Sequence, residues 1–211
     1  MAPEQACFKL AAFSALGDNH ETRQPAIIHD EHSALAAMLR SMTMMVTRGP
    51  EDKPEQFFDV LRAMLFYIDE FPERLHHPKE SKLLFPRVVR AAPSMAAVVE
   101  RLEHDHMSGE KAVRDLQHAL LAWELLGEPR RPAFTAQCQQ YVNFYLEHMR
   151  LEETVVLPEA VRVLTAPDWQ ELDAAFSENC DPLTGKYSPD PAYSRLFTRI
   201  VMKAPAPIGL G

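Results

Sequence analysis

The spacing His-x-x-x-Glu occurs twice on apolar helical stripes, and it restricts this chain more than any other feature. Phe134, Cys138, Tyr141, Tyr145, His148, Glu152 and Val155 follow one another at alternating steps of four and three. That rhythm belongs to a helix face turned into a core. An ionised carboxylate there is costly unless it is paired or bound to a cation. His76 and Glu80 repeat the spacing earlier, within His76-His77-Pro78-Lys79-Glu80. Together the two copies predict a metal site built from one helix pair used twice.

Four such stripes run along the chain. The first helix opens near Pro25, a residue suited to a first helical turn, carries Ile28, His32, Leu35, Leu39, Met42 and Val46, and stops before Gly49-Pro50. Asp52 and Pro54 start the second, whose face is Phe57, Leu61, Met64, Ile68 and Phe71. Pro72 and Pro78 are expected to kink or briefly break it, after which the pattern resumes through Leu83, Leu84 and Val88. Ser94 is the candidate cap of the third helix, with Val99, Leu102, His106, Gly109, Val113, Leu116 and Leu120 inward; Gly127 ends it and Pro132 starts the fourth.

Long amphipathic segments joined by short loops predict an all-α fold: an antiparallel up-down-up-down four-helix bundle with extra short C-terminal helices. The expected organisation is an N-terminal arm over 1–24, the bundle over 25–164, and a helical extension over 165–211. One short helix of that extension opens at Thr165 and another at Asp190-Pro191. The extension is expected to pack on the outside of the bundle and is the candidate surface for a partner protein or for self-association.

The polar residues on the inward stripes are His32, then His76 with Glu80, then His106, then His148 with Glu152. Helices one and two thus repeat as helices three and four, and in a bundle their side chains converge on one cavity. Four imidazoles and two carboxylates are too many for one tetrahedral zinc site. Shared between two ions, they give each ion two histidines and both carboxylates, with open positions left over. Two divalent ions against two carboxylates leave a net positive charge that an oxo or hydroxo bridge would reduce. Mixed imidazole and carboxylate ligation of this kind suits redox-active iron. There is no His-Glu-x-x-His for a zinc protease, and the His-first order with a step of four differs from the Glu-x-x-His of ferritin-like bundles.

Composition narrows the classes further. The chain of 211 residues has 46% hydrophobic residues, enough for a core, and 30 acidic against 22 basic residues for a net charge of −8. With no run of Lys or Arg, a nucleic-acid surface is disfavoured. The three scattered cysteines argue against a disulfide scaffold and for a reducing compartment. Glu4 and Lys9 interrupt the mildly apolar start, which is not read as a signal peptide. No segment has the length of a membrane span, so a cytoplasmic protein is expected.

The arrangement resembles the hemerythrin-like (HHE cation-binding) family. The resemblance is carried by Asp30-Glu31-His32, by His76-His77-Pro78-Lys79-Glu80 with Leu83-Leu84-Phe85-Pro86, by His104-Asp105-His106, and by His148-x-x-x-Glu152-Glu153 with Leu157-Pro158. It covers roughly residues 25–160. It implies a non-haem di-iron centre, two oxo- or hydroxo-bridged iron ions, that meets dioxygen or a related small molecule. His32, His76, His106 and His148 would be terminal ligands, and Glu80 and Glu152 would bridge. Oxygen-carrying members place a second histidine four residues after the one on the third helix, where this chain has Glu110; His29, His77 or His104 would have to substitute. The four-His, two-Glu set also resembles bacterial members tied to repair of iron centres under nitrosative stress, whose cysteine-bearing N-terminal domain is not seen here.

On regular helices His104 points about 200° away from His106, and His77 and Glu153 point away from the cavity, to roles beside the ligands or at the surface. Tyr141 and Tyr145 are expected to pack, and Cys138 to be a small buried hydrophobe. The function that follows is binding or sensing of dioxygen or a related small molecule. Turnover of peroxide or nitric oxide, or an iron-dependent interaction module, are the rival readings.

Overall fold

The computed structural model describes residues 25–187 and 190–211; the expected N-terminal arm lies outside the described residues. Among the described residues six helical runs make up the fold. They are α1 (Ala26–Arg48), α2 (54–91), α3 (Ala96–Leu126), α4 (131–163), α5 (Ala166–Ser177) and α6 (Ser194–Lys203). The first four pack in a ring, α1 on α2, α2 on α3, α3 on α4 and α4 on α1, as the sequence pattern predicts.

Two apolar clusters fill the bundle, and their order along each helix gives the chain direction. Going along α1, Ile28 belongs to the smaller cluster and Leu35 to the larger. Along α2 the order reverses, from Phe71 in the larger to Leu84 in the smaller. Helix α3 again runs from the smaller, at Leu102, to the larger, at Val113, and α4 runs back from Tyr145 to Val156. The helices therefore alternate in direction. On each of them the inward His or His–Glu pair falls in the interval between the clusters.

Loop chemistry sets the turns. Gly49 and Gly127 end α1 and α3 with φ of 82° and 80°, a region that disfavours residues carrying a Cβ. Pro54 opens α2 at its first turn. Ser94 does not cap α3; it lies in a 3₁₀ turn, Pro93–Met95, that leads into the helix. Thr165 begins α5 with a reciprocal capping box to Asp168.

The second helix departs from expectation at its prolines. It neither breaks nor ends; it widens. The run is α-helical over Pro54–Ile68, π-helical over Asp69–His76 with Pro72 inside, and π-helical again over Glu80–Leu84. A π-turn shifts the backbone bond from i−4 to i−5, which absorbs a missing N–H without ending the helix. Helix α4 has one matching wide turn, Glu152–Val156, directly at its glutamate.

The C-terminal segment covers one side of the bundle. Helix α5 and the turn Pro182–Thr184 lie on α1, and α6 lies on α2. Phe197 and Ile200 of α6 join the larger cluster, and Trp169, Leu172 and Phe176 of α5 join the smaller. Cys138 is buried and free, as its place on the inward stripe suggests, whereas Cys180 is disulfide-bonded, which the cysteine count did not suggest. No helix among the described residues is long and apolar enough to cross a membrane.

Candidate metal centre

Between the two clusters the six residues singled out by spacing, His32, His76, Glu80, His106, His148 and Glu152, come together and are all buried. They form two imidazole pairs. His32 Nε2 is 3.2 Å from His76 Nε2, and His106 Nε2 is 3.2 Å from His148 Nε2. Each glutamate offers one oxygen to each pair. Glu80 Oε1 is 3.0 Å from His76 Nε2, and its Oε2 is 3.3 Å from His106 Nε2. Glu152 Oε2 is 3.3 Å from His32 Nε2, and its Oε1 is 3.3 Å from His148 Nε2. The approximate two-fold repeat seen in the sequence is thus a geometric one.

These donors fit a pair of cations. Metal–nitrogen and metal–oxygen bonds of about 2.1 Å at near-octahedral or tetrahedral angles set neighbouring donors roughly 3.0–3.4 Å apart, the spacing found here. All four oxygens of Glu80 and Glu152 are buried without a hydrogen-bond partner, although buried carboxylates are normally satisfied. A cation between each imidazole pair would supply what the protein does not.

The outer nitrogens are held by acceptors, which aims the inner lone pairs at the centre. His32 Nδ1 donates to Glu153 at 3.1 Å and His76 Nδ1 to Glu31 at 2.5 Å. Ser81 donates to Glu103 and so accepts from His106 Nδ1 at 3.0 Å. His148 Nδ1 has no hydrogen-bond partner, and the Asp105 carboxylate lies 3.6 Å away. Asn179, from the segment after α5, donates to both oxygens of Glu31 at 3.0 Å. Lys79 in turn donates to Asn179 and to the Ala175 carbonyl.

Charge is balanced inside this layer. Burial opposes a charge on His76, but Glu80 and Glu31 outweigh it and raise its proton affinity well above the usual histidine range. Burial likewise opposes ionisation of Glu80, but His76 and His106 hold its carboxyl well below the usual range. His148 is raised against its own burial by Glu152. His76 and His148 thus favour the positive charge that the two carboxylates require. Metal binding would replace protons with ions.

One residue breaks the repeat. His77 is buried, not turned outward as expected on a regular helix, and it follows directly on the wide turn. Its ring stacks on His106, centroids 4.3 Å apart and planes 13° from parallel, and lies near-parallel to Tyr145 at 5.5 Å. His77, Glu80, His106 and His148 each bring a ligand atom within 4.8 Å of one another. Burial and the neighbouring His106 and His76 push the proton affinity of His77 well below the usual value.

His77 Nδ1 donates to Glu73 at 3.1 Å, and the other oxygen of Glu73 accepts from Tyr141 at 3.2 Å and from Tyr145. Both tyrosines therefore do more than pack. Burial raises the Glu73 carboxyl to about 7, against the lowering effect of its two phenol donors. Space for the Tyr145 hydroxyl comes from Gly109, where a Cβ would stand 1.9 Å from it.

The remaining candidates lie elsewhere. Glu110 and His104 are exposed, and Glu110 pairs with Arg114 on its own helix. His29 is half exposed and reaches Glu153 at 3.5 Å. Glu31 and Glu73 were not singled out by spacing; the only signal in the sequence was an acid one residue before His32 and another three before His76. A cavity of about 10 Å³, room for roughly one water-sized group, borders His32 and His76 and is lined also by Leu35, Phe71, Pro72 and Asp181.

No curated protein matches the chain significantly. The family model for the hemerythrin HHE cation binding domain matches residues 23–160, a span that contains every residue of the buried His–Glu layer. This chain belongs to the hemerythrin HHE cation-binding family.

Proposed function

We propose that the protein is a non-haem di-iron protein of hemerythrin type that binds or senses dioxygen or a related small molecule. His32 and His76 would hold one ion, His106 and His148 the other, with Glu80 and Glu152 shared between them. The observation that carries this reading is the orientation of the two glutamates. Each is buried, has no hydrogen-bond partner, and directs one oxygen to each imidazole pair. Iron is favoured over zinc because mixed imidazole and carboxylate donors, too many for one tetrahedral site, suit an ion with open positions. When bound, such a centre supplies reversible one-electron chemistry at each ion. The chain's own contribution is orientation of the imidazoles through Glu31, Glu153 and Ser81, and exclusion of water by the two apolar clusters. The small cavity beside His32 and His76 restricts an incoming ligand to a few atoms.

A second reading, turnover of peroxide or nitric oxide, is favoured by the two phenols hydrogen-bonded to Glu73 beside His77, since they place exchangeable protons next to the centre.

Elemental analysis of anaerobically purified protein, followed by optical spectra on admission of air, tests both. Two irons per chain with near-ultraviolet bands that reverse on deoxygenation establish oxygen binding. Two irons with irreversible oxidation and steady consumption of peroxide favour turnover. One zinc, or no metal from iron-replete cells, overturns the di-iron reading.

A further inference from the structure

We propose that the groove between α3 and α4 binds a phenol-class reductant, and that Tyr141 on its inner wall passes that reductant's electrons towards the centre. The inference rests on the turnover reading above, with hydrogen peroxide as the oxidant, and adds the reductant that such turnover consumes.

The groove has a volume of about 490 Å³, within the range of small-molecule sites. Ala112 and Ala119 of α3 take up little of it, Phe144 of α4 adds an aromatic wall, and the exposed Gln137 and Gln140 bring amides to its rim. A flat aromatic molecule with one or two hydroxyls suits that lining. Tyr141 borders the groove yet is buried. Its ring meets Tyr145 at 4.8 Å, and Tyr145 meets His148 at 5.6 Å and His77 at 5.5 Å. His77 in turn stacks on His106. A row of touching rings therefore joins the groove to both imidazoles of one pair.

Phenylalanine would make the same ring contacts, so the hydroxyl needs its own reason. It donates to Glu73, a carboxylate on α2, at 3.2 Å. A phenol gives up an electron readily only when its proton leaves with it, and Glu73 is placed to take that proton and return it. Burial and Glu73 hold the Tyr141 phenol well above its usual range, so it rests protonated. Glu73, raised to about 7, is a better acceptor than an ordinary carboxylate.

In the first step Tyr141 loses one electron inward and its hydroxyl proton to Glu73. The O–H bond breaks, leaving a neutral phenoxyl radical beside a carboxylic acid. In the second, the bound reductant gives one electron to that radical and Glu73 returns the proton. The reductant's own hydroxyl proton passes to water in the groove. Two rounds convert one hydroquinone into quinone, and the two electrons and two protons released reduce one hydrogen peroxide to two waters.

The test uses hydroquinone as the probe, with wild type, Tyr141→Phe, Tyr145→Phe and Ala112→Phe. Each tyrosine variant leaves Glu73 a hydrogen bond from the other tyrosine, and circular dichroism melting checks that all are folded. Calorimetry on metal-free protein should show hydroquinone bound by wild type and Tyr141→Phe, but not by Ala112→Phe, whose ring fills the groove. Iron-loaded protein frozen after mixing with peroxide should give a tyrosyl radical signal by electron paramagnetic resonance. That signal should persist in Tyr145→Phe and be missing from Tyr141→Phe. Hydroquinone should erase it in wild type but not in Ala112→Phe. Hydroquinone-dependent peroxide reduction should fall about 100-fold in Tyr141→Phe, with iron content unchanged. A metal-free wild type that binds no hydroquinone would overturn the proposal, as would a Tyr141→Phe variant that keeps the radical or the hydroquinone-dependent rate. An iron-loaded wild type that consumes no peroxide removes the turnover reading itself, an outcome visible without any variant.

Discussion

Asn179 donates its amide to both carboxylate oxygens of Glu31, each at 3.0 Å, although 148 residues separate them. Glu31 in turn holds the Nδ1 of His76. The segment after α5, beyond the matched family span, thus completes the support of a residue at the centre. Asn179→Ala leaves Glu31 with a vacant acceptor and His76 less firmly aimed. Metal affinity should fall about 10–100-fold while the helical content stays unchanged. Chelator competition on the purified variant measures the first, and circular dichroism the second.

Without ions the buried layer weakens the fold. Four buried carboxylate oxygens have no hydrogen-bond partner, and such groups cost stability that apolar or neutral replacements avoid. Ferrous iron at about a thousandfold excess over its Kd should add about 4 kcal/mol, or roughly 8–16 °C in melting temperature for a chain of this size. In the doubly substituted Glu80→Gln, Glu152→Gln protein, calorimetry should show that increment abolished. The metal-free variant should melt no lower than metal-free wild type.

Gly109→Ala should destabilise the protein despite alanine's better helix propensity. The gain is about 1 kcal/mol, but the new methyl would meet the Tyr145 hydroxyl at 1.9 Å. Tyr145 cannot swing away without leaving Glu73, and overpacking of this kind costs about 1–3 kcal/mol. Denaturant unfolding should register a net loss of up to about 2 kcal/mol. An increase in stability would show that Tyr145 yields.

Asp181 gives the stability a pH dependence. Burial lifts its carboxyl from 3.8 to about 7, against the Tyr67 hydroxyl that donates to it at 2.6 Å. The folded protein therefore keeps a proton through a range in which the unfolded chain has lost it. Its contribution is full below about pH 4 and disappears as pH rises towards 7, at up to about 1.4 kcal/mol per pH unit. Asp181→Asn should flatten that slope between pH 4 and 7 in urea titrations run at several pH values. An unchanged slope would remove Asp181 as its source.

Much of the fold and the centre could be read from the chain because a bundle core has a simple period. A histidine in step with leucines must point where they point, so His32, His106, His148 and Glu152 were legible directly. The second helix was less so. Its prolines signalled disturbance, and a break is the usual outcome, but a wide turn also accommodates a missing N–H and conserves the packing on both sides. The consequence for His77 was invisible, since a regular period places it outward. Glu31, Glu73 and Asn179 were hidden for another reason. Each acts on a residue from a different helix or on a histidine off the ideal register, and contacts across the fold leave no local periodicity.

The wide turn over Asp69–His76 carries one residue more than regular pitch would allow. Deleting any one residue within it lets the helix close to ideal geometry, and everything downstream then swings by about 100°. His76, His77 and Glu80 would leave the centre together, and Leu84, Phe85 and Val88 would leave their apolar cluster with them. The stretch is therefore fixed in length more strictly than in composition. Its arc can exchange many side chains for others, but the count of residues between Ile68 and Glu80 acts as a gauge that sets the aim of His76 and Glu80 at once.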